Sequence, residues 1–95
     1  MSAYVVFIKE REHDSAAMAT YAGKAGGSLG GHSAKPLVYY GAIETLEGPE
    51  AKGAVIVEFP TMDEARAWYH SDAYQEARRD RFQGADYRVF ITQGV

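Results

Sequence analysis

The segment VIVEFPTMDEARAWYHSDAYQEARRDRF, Val55 to Phe82, gathers most of the side chains able to do chemistry. Glu58 closes an apolar run, Trp68, Tyr69 and Tyr74 follow at helical spacing, and Arg78, Arg79 and Arg81 come last. Elsewhere, His32 follows a glycine pair, and Tyr21 and Tyr39 stand among small and apolar residues. An imidazole beside a carboxylate is an acid/base pair, because histidine titrates near neutrality and a neighbouring anion tunes it. The catalytic candidates are therefore His32 as general base and Glu58 as the group that orients it. The more ordinary role for Glu58 is to pair with an arginine or accept from backbone amides near Pro60. Tyr21, Tyr39, Trp68, Tyr69 and Tyr74 are candidates for the wall of a substrate site, since such rings bring polar tips to apolar surfaces and so orient a small ligand. The same rings at the same spacing also serve as ordinary core. The arginines, interleaved with Glu76 and Asp80, read as a solvated, salt-bridged helix end where cations meet the dipole.

Other chemistries are excluded. The glycines of GKAGGSLGG fit neither phosphate-binding pattern, G-x-x-x-x-G-K-[ST] or G-x-G-x-x-G. His13, His32 and His70 lack metal-ligand spacing, there is no cysteine, and no Ser/His/Asp order or carboxylate pair stands out. No metal or cofactor is implied. The formal charge is −3 with both signs interspersed, so no broad basic surface invites nucleic acid or a membrane. The N-terminus lacks the basic lead and cleavage site of a signal peptide. No apolar run approaches the roughly 20 residues that span a bilayer. A soluble cytoplasmic protein is the expectation.

The elements that must position these groups are legible from pattern. With 46% hydrophobic and 13% aromatic residues, the 95-residue chain forms one globular domain, residues 1–95. Ala3 to Lys9 is a β-branched and aromatic strand. From the N-cap residue Asp14, apolar side chains recur at Met18, Tyr21, Ala22, Ala25 and Leu29, a helical stripe. Its glycines predict fraying near GGSLGGH. Leu37 to Leu46 reads as a second strand, joined through EGPEAKG to a third, Gly53 to Phe59, as a hairpin. Pro60 ends it, and Thr61 to Glu64 has capping-box spacing. Ser71 and Asp72 repeat N-cap chemistry, predicting one helix to about His70 and another from Ala73 to Phe82. Asp86 to Gln93 is the last strand.

The order βαββαβ predicts a ferredoxin-like α+β fold, a four-stranded antiparallel sheet with both helices on one face and the first and third strands central. A sheet covered on one face should alternate, yet YVVFI and AVIVEF are apolar throughout. The uncovered face therefore calls for a second copy of the chain, sheet against sheet, in a two-fold homodimer.

The run VYYGAIETLEGPEAKGAVIVEFPTMDEARAWYHSDAYQEARRDRFQGADYRVFITQGV resembles the small bacterial proteins of domain of unknown function 1330. The match is close from Leu37 to Val95, loose over the first strand, and most specific in EFPTMDEARAWYHSDAY. Glu58, Trp68, Tyr69, Ser71 and Tyr74 match the family's motif. The resemblance implies a dimeric α+β barrel, a superfamily that includes cofactor-free oxygenases of polyketide and antibiotic synthesis, haem-handling enzymes and muconolactone-isomerase-like proteins. The chain contains no asparagine, so the asparagine-tryptophan-histidine triad of haem-degrading relatives cannot be assembled. The functional expectation is a homodimer that binds a small aromatic or lactone-like metabolite. It is either a cofactor-independent oxygenase or isomerase, with the substrate carbanion supplying electrons, or a non-catalytic structural or regulatory subunit.

Overall fold

The computed structural model describes residues 1–95. Strand β1, Ala3–Glu12, alternates as its sequence requires: Ala3, Val5 and Phe7 are buried beneath the helices, while Tyr4, Val6 and Ile8 point to the other face. It pairs antiparallel with β3, Gly53–Phe59, on one side and with β4, Ala85–Gln93, on the other. A short β2, Lys35–Tyr39, lies outside β3, so the sheet order is β2-β3-β1-β4 and the two most apolar strands are central. The fold is ferredoxin-like, as the element order predicts.

Helix α1, Ser15–Ser28, begins where the Asp14 carboxylate accepts from the Ala16 and Ala17 amides at 3.0 and 3.1 Å. It continues through Gly23, Gly26 and Gly27 before stopping at Leu29. Tertiary contacts offset the poor propensity of those glycines. Lys24 reaches across to Asp80 at 2.9 Å and Glu76 at 3.6 Å on helix α3, Asp72–Gly84. Helix α2, Met62–Tyr69, starts at Thr61, whose hydroxyl accepts from the Glu64 amide at 3.1 Å. The break before α3 is made by Ser71: its hydroxyl donates to the Trp68 carbonyl at 2.6 Å and accepts from the Tyr74 amide at 3.3 Å.

One expected element is cut short. The second strand ends at Tyr39 rather than Leu46, because Tyr40 adopts a left-handed backbone with φ of 52° and turns the chain out of the ladder. Residues 41–50 then run exposed with no strand pairing.

The core is aromatic. Phe59 stacks on Trp68 with centroids 5.5 Å apart, Trp68 lies 4.4 Å from Tyr74, and Phe7 meets Trp68 edge-on at 6.2 Å. Helix α2 sits down on the sheet, whereas α1 is held mainly by α3 and stands off the strands beneath it. On the far face of the sheet, strand register places Val38, Ile56, Val6 and Phe90 in one apolar row. Lys35, Glu58, Tyr4 and Thr92 flank that row on one side, and Ala54, Ile8 and Arg88 on the other.

Candidate functional site

The gap under α1 is a cavity of about 440 Å³, within the range of small-molecule sites. Its floor is Phe7, Val55 and Val57, and its roof is Met18, Ala22, Ala25 and Gly26. Those roof residues explain the space: apart from Met18, they are too small to fill it. Trp68 and Leu29 line it at one end, and Lys9, Glu12, Tyr39 and Tyr40 at the other.

The polar groups are arranged in pairs. The Tyr21 and Tyr74 hydroxyls share a hydrogen bond of 2.9 Å, both rings buried. Burial, the largest influence, pushes both phenols above their ordinary pKa, while the nearby Arg81 charge pulls the other way. The Trp68 indole N–H is spent on Ser28 Oγ at 3.0 Å, and that hydroxyl donates to the Ala25 carbonyl at 2.6 Å. Lys9 Nζ pairs with Glu12 at 2.9 Å and lies 5.4 Å above the Tyr40 ring.

Tyr40 depends on its strained backbone and on Gly53. Its amide donates to the Ala54 carbonyl at 2.8 Å, and its ring lies over Gly53, where an added Cβ would come within 2.9 Å of the ring. Only a residue without a side chain leaves that path open. The ring thereby crosses the sheet, and its hydroxyl meets that of Tyr87 on β4 at 2.5 Å. Burial again is the main reason the Tyr87 phenol is pushed above its ordinary range.

The arginine cluster divides in a way its spacing in isolation does not suggest. Arg79 is exposed and pairs with Glu76 at 3.7 Å, and Arg78 donates to the Tyr69 hydroxyl at 3.0 Å. Arg81, expected on a solvated face, is instead only 3% exposed. Its guanidinium rests against the rings of Phe82, Tyr87 and Phe7 at 5.1, 5.3 and 6.0 Å, and its Nε has no hydrogen-bond partner. The reason is periodicity: Tyr74, Ala77, Arg81 and Gly84 form the buried stripe of α3.

Of the residues expected at a site, Tyr21, Tyr39 and Trp68 line the cavity. Tyr74 lies one layer behind Tyr21, and Tyr69 stands outside, edge-on to His70 at 5.2 Å. Glu58 belongs to the opposite face of the sheet beside Tyr4, whose phenol it raises through a hydrogen bond. His32 sits in the turn after α1, its amide bonded to the Leu29 carbonyl at 3.1 Å, and neither lines the cavity nor pairs with Glu58. Tyr40, Tyr87, Lys9 and Arg81 were not among the residues expected at the site.

A ferredoxin-like sheet with an apolar cavity beneath its first helix defines the class of protein. The chain belongs to the family described as Domain of unknown function (DUF1330), which it matches over residues 2–95. Among solved structures, it is similar to a protein of unknown function from Rhodopseudomonas palustris, with a TM-score of 0.74, 18% identity, and coverage of 99% of this chain and 82% of that one. It is also similar to a dimeric protein of unknown function and ferredoxin-like fold from Bacteroides fragilis (TM-score 0.65, 10% identity, 98% and 96% covered). A third similar structure is a proposed antibiotic biosynthesis monooxygenase from Caulobacter crescentus (TM-score 0.59, 15% identity, 99% and 89% covered). No functionally curated protein matches the chain.

Proposed function

We propose that this protein is a cytoplasmic homodimer whose subunits each bind one small, partly aromatic or lactone-like metabolite in the cavity under α1. The observation that carries the reading is the cavity itself, about 440 Å³ of mostly apolar space bounded by fixed aromatic rings and reached by few polar groups. Tyr21, Tyr39 and Trp68 supply the aromatic wall, and Tyr40 with the Lys9–Glu12 pair supplies polarity at one end. The similar monooxygenase-like structure favours an oxygenase chemistry on that ligand over the other readings, an isomerase or a non-catalytic subunit. The polar side chains that line the cavity are Tyr21, Tyr39, Tyr40, Lys9, Glu12 and Ser15, and neither His32 nor Glu58 is among them.

Native mass spectrometry of the purified protein, combined with thermal-shift screening of aromatic and lactone metabolites, tests the reading. A small molecule retained per subunit, or a saturable rise in melting temperature that Ala22→Trp abolishes by filling the roof, is expected. Saturable binding that survives Ala22→Trp unchanged would place the ligand elsewhere and sink the proposal.

A further inference from the structure

Four phenols and one guanidinium converge where the cavity wall meets the buried end of α3, and this group has more donors than acceptors. A phenol has one proton to give. Within each pair, Tyr21 with Tyr74 and Tyr40 with Tyr87, one hydroxyl donates to the other, and the O–H of the second is bonded to no other protein group. Arg81 brings further donors, is 3% exposed, and pairs with no carboxylate. The carboxylates that approach this end are already engaged, Glu12 by Lys9 and Asp80 by Lys24, each at 2.9 Å. A buried cation without a counter-ion is strongly unfavourable, and aromatic faces offset only part of the loss.

We infer that the missing acceptor is the ligand. The cavity takes a small, largely apolar acid, its carboxylate or enolate oxygen seated at the Tyr21 and Tyr40 end, with Arg81 as the fixed countercharge behind Phe7 and Tyr21. This inference rests on the cavity being a ligand site and names the substrate class. Lys9 adds no net charge there, because Glu12 balances it. The left-handed Tyr40 backbone fits the same account: strain is retained where it aims a group, here a phenol carried over Gly53 into the donor cluster.

The test compares phenylacetate with phenylacetamide, two probes of nearly equal shape that differ in charge, by calorimetry near neutral pH. For the wild-type protein, the carboxylate is expected to bind about tenfold or more tightly than the amide, the scale of a charge-assisted contact. Arg81→Met should erase that preference, leave the amide affinity within about threefold, and melt no lower than wild type, because replacing an unpaired buried charge by an apolar side chain is neutral or stabilising. Tyr40→Phe, which keeps the ring, should weaken only the carboxylate. Equal affinity for the two probes in the wild-type protein overturns the inference while leaving the cavity reading intact. Arg81→Met melting far below wild type while keeping the preference makes Arg81 purely structural and also overturns it. If no small molecule of any charge binds, the cavity reading falls as well.

Discussion

At the scale of single residues, the phenols make a feature of the interior measurable. Tyr21 and Tyr74 are buried and hydrogen-bonded to each other, and both titrate above the ordinary value of 10.0. Above that value, the unfolded chain loses these protons and the folded chain keeps them. Their contribution to stability is therefore complete below about pH 10 and declines as pH rises. Each such group lowers stability by about 1.4 kcal/mol per pH unit once the unfolded phenol has ionised. The two together give roughly 3 kcal/mol per unit, a large share of the about 5–15 kcal/mol typical of a domain, and Tyr87, raised by burial as well, adds to it. Urea melts from about pH 9 to about pH 11.5 should show stability falling at least that steeply, and Tyr21→Phe/Tyr74→Phe should remove about 3 kcal/mol per unit of the slope and leave the part due to Tyr87. A wild-type curve level over the same span would mean that the two phenols ionise freely in the folded protein. Sequence made Tyr21 and Trp68 legible as wall residues because each lies on an apolar helical stripe. Arg81 was hidden for the opposite reason: its charge outweighed its position, although it falls seven residues after Tyr74 on the same stripe. Glu58 and His32 looked like partners in a tracing by strand ends alone, but the period of two along β3 turns the carboxylate away from the helices.

At the scale of elements, α1 is the most informative case. The glycines argue for fraying, and yet the helix reaches Ser28 because α3 holds one side of it through Lys24 and Tyr21. Tertiary contact overrides the local propensity here. Gly23 and Gly27 have ordinary helical backbone and nothing within 4 Å of an added Cβ. Replacing both with alanine should therefore raise stability by about 1–2 kcal/mol through lower unfolded-state entropy and better propensity. The checking measurement is the midpoint of a chemical melt, which should rise at unchanged slope. A lower midpoint would mean that this turn is not helical in solution. The shortening of β2 was not legible, since YYGAIETL has strand composition throughout. What ends the strand is the left-handed Tyr40 and its hydroxyl contact with Tyr87, a long-range choice that no local window contains. The other boundaries fell close to their capping and turn residues, Asp14, Thr61 and Ser71, because each of those acts on its own neighbours.

At the scale of the whole molecule, the sheet presents water with a face its residues do not suit. Val38 and Phe90, the ends of the apolar row, are 36% and 44% exposed, and the row between them is Ile56 and Val6. Ile43 and Leu46 on the exposed connection add 47% and 83%. Contiguous apolar surface of this kind marks an interface, and a two-fold axis through the sheet would cover one row with its own copy. In such an isologous contact every substitution acts twice, and a charge placed near the axis faces its like. Phe90→Glu should therefore reduce the protein from twice the 10.4 kDa chain mass to a single chain. Far-ultraviolet circular dichroism should stay unchanged, because Phe90 lies outside the helix-covered core of Phe7, Phe59 and Trp68. Sedimentation of both forms at micromolar concentration decides it. A wild-type protein that sediments as one chain would leave the apolar row without a cover, and a Phe90→Glu dimer would place the contact on another surface. If the two chains do separate, the cavity should stay in each, since a single chain forms it. Ligand binding by the Phe90→Glu monomer then distinguishes a self-contained site from one whose geometry depends on the partner.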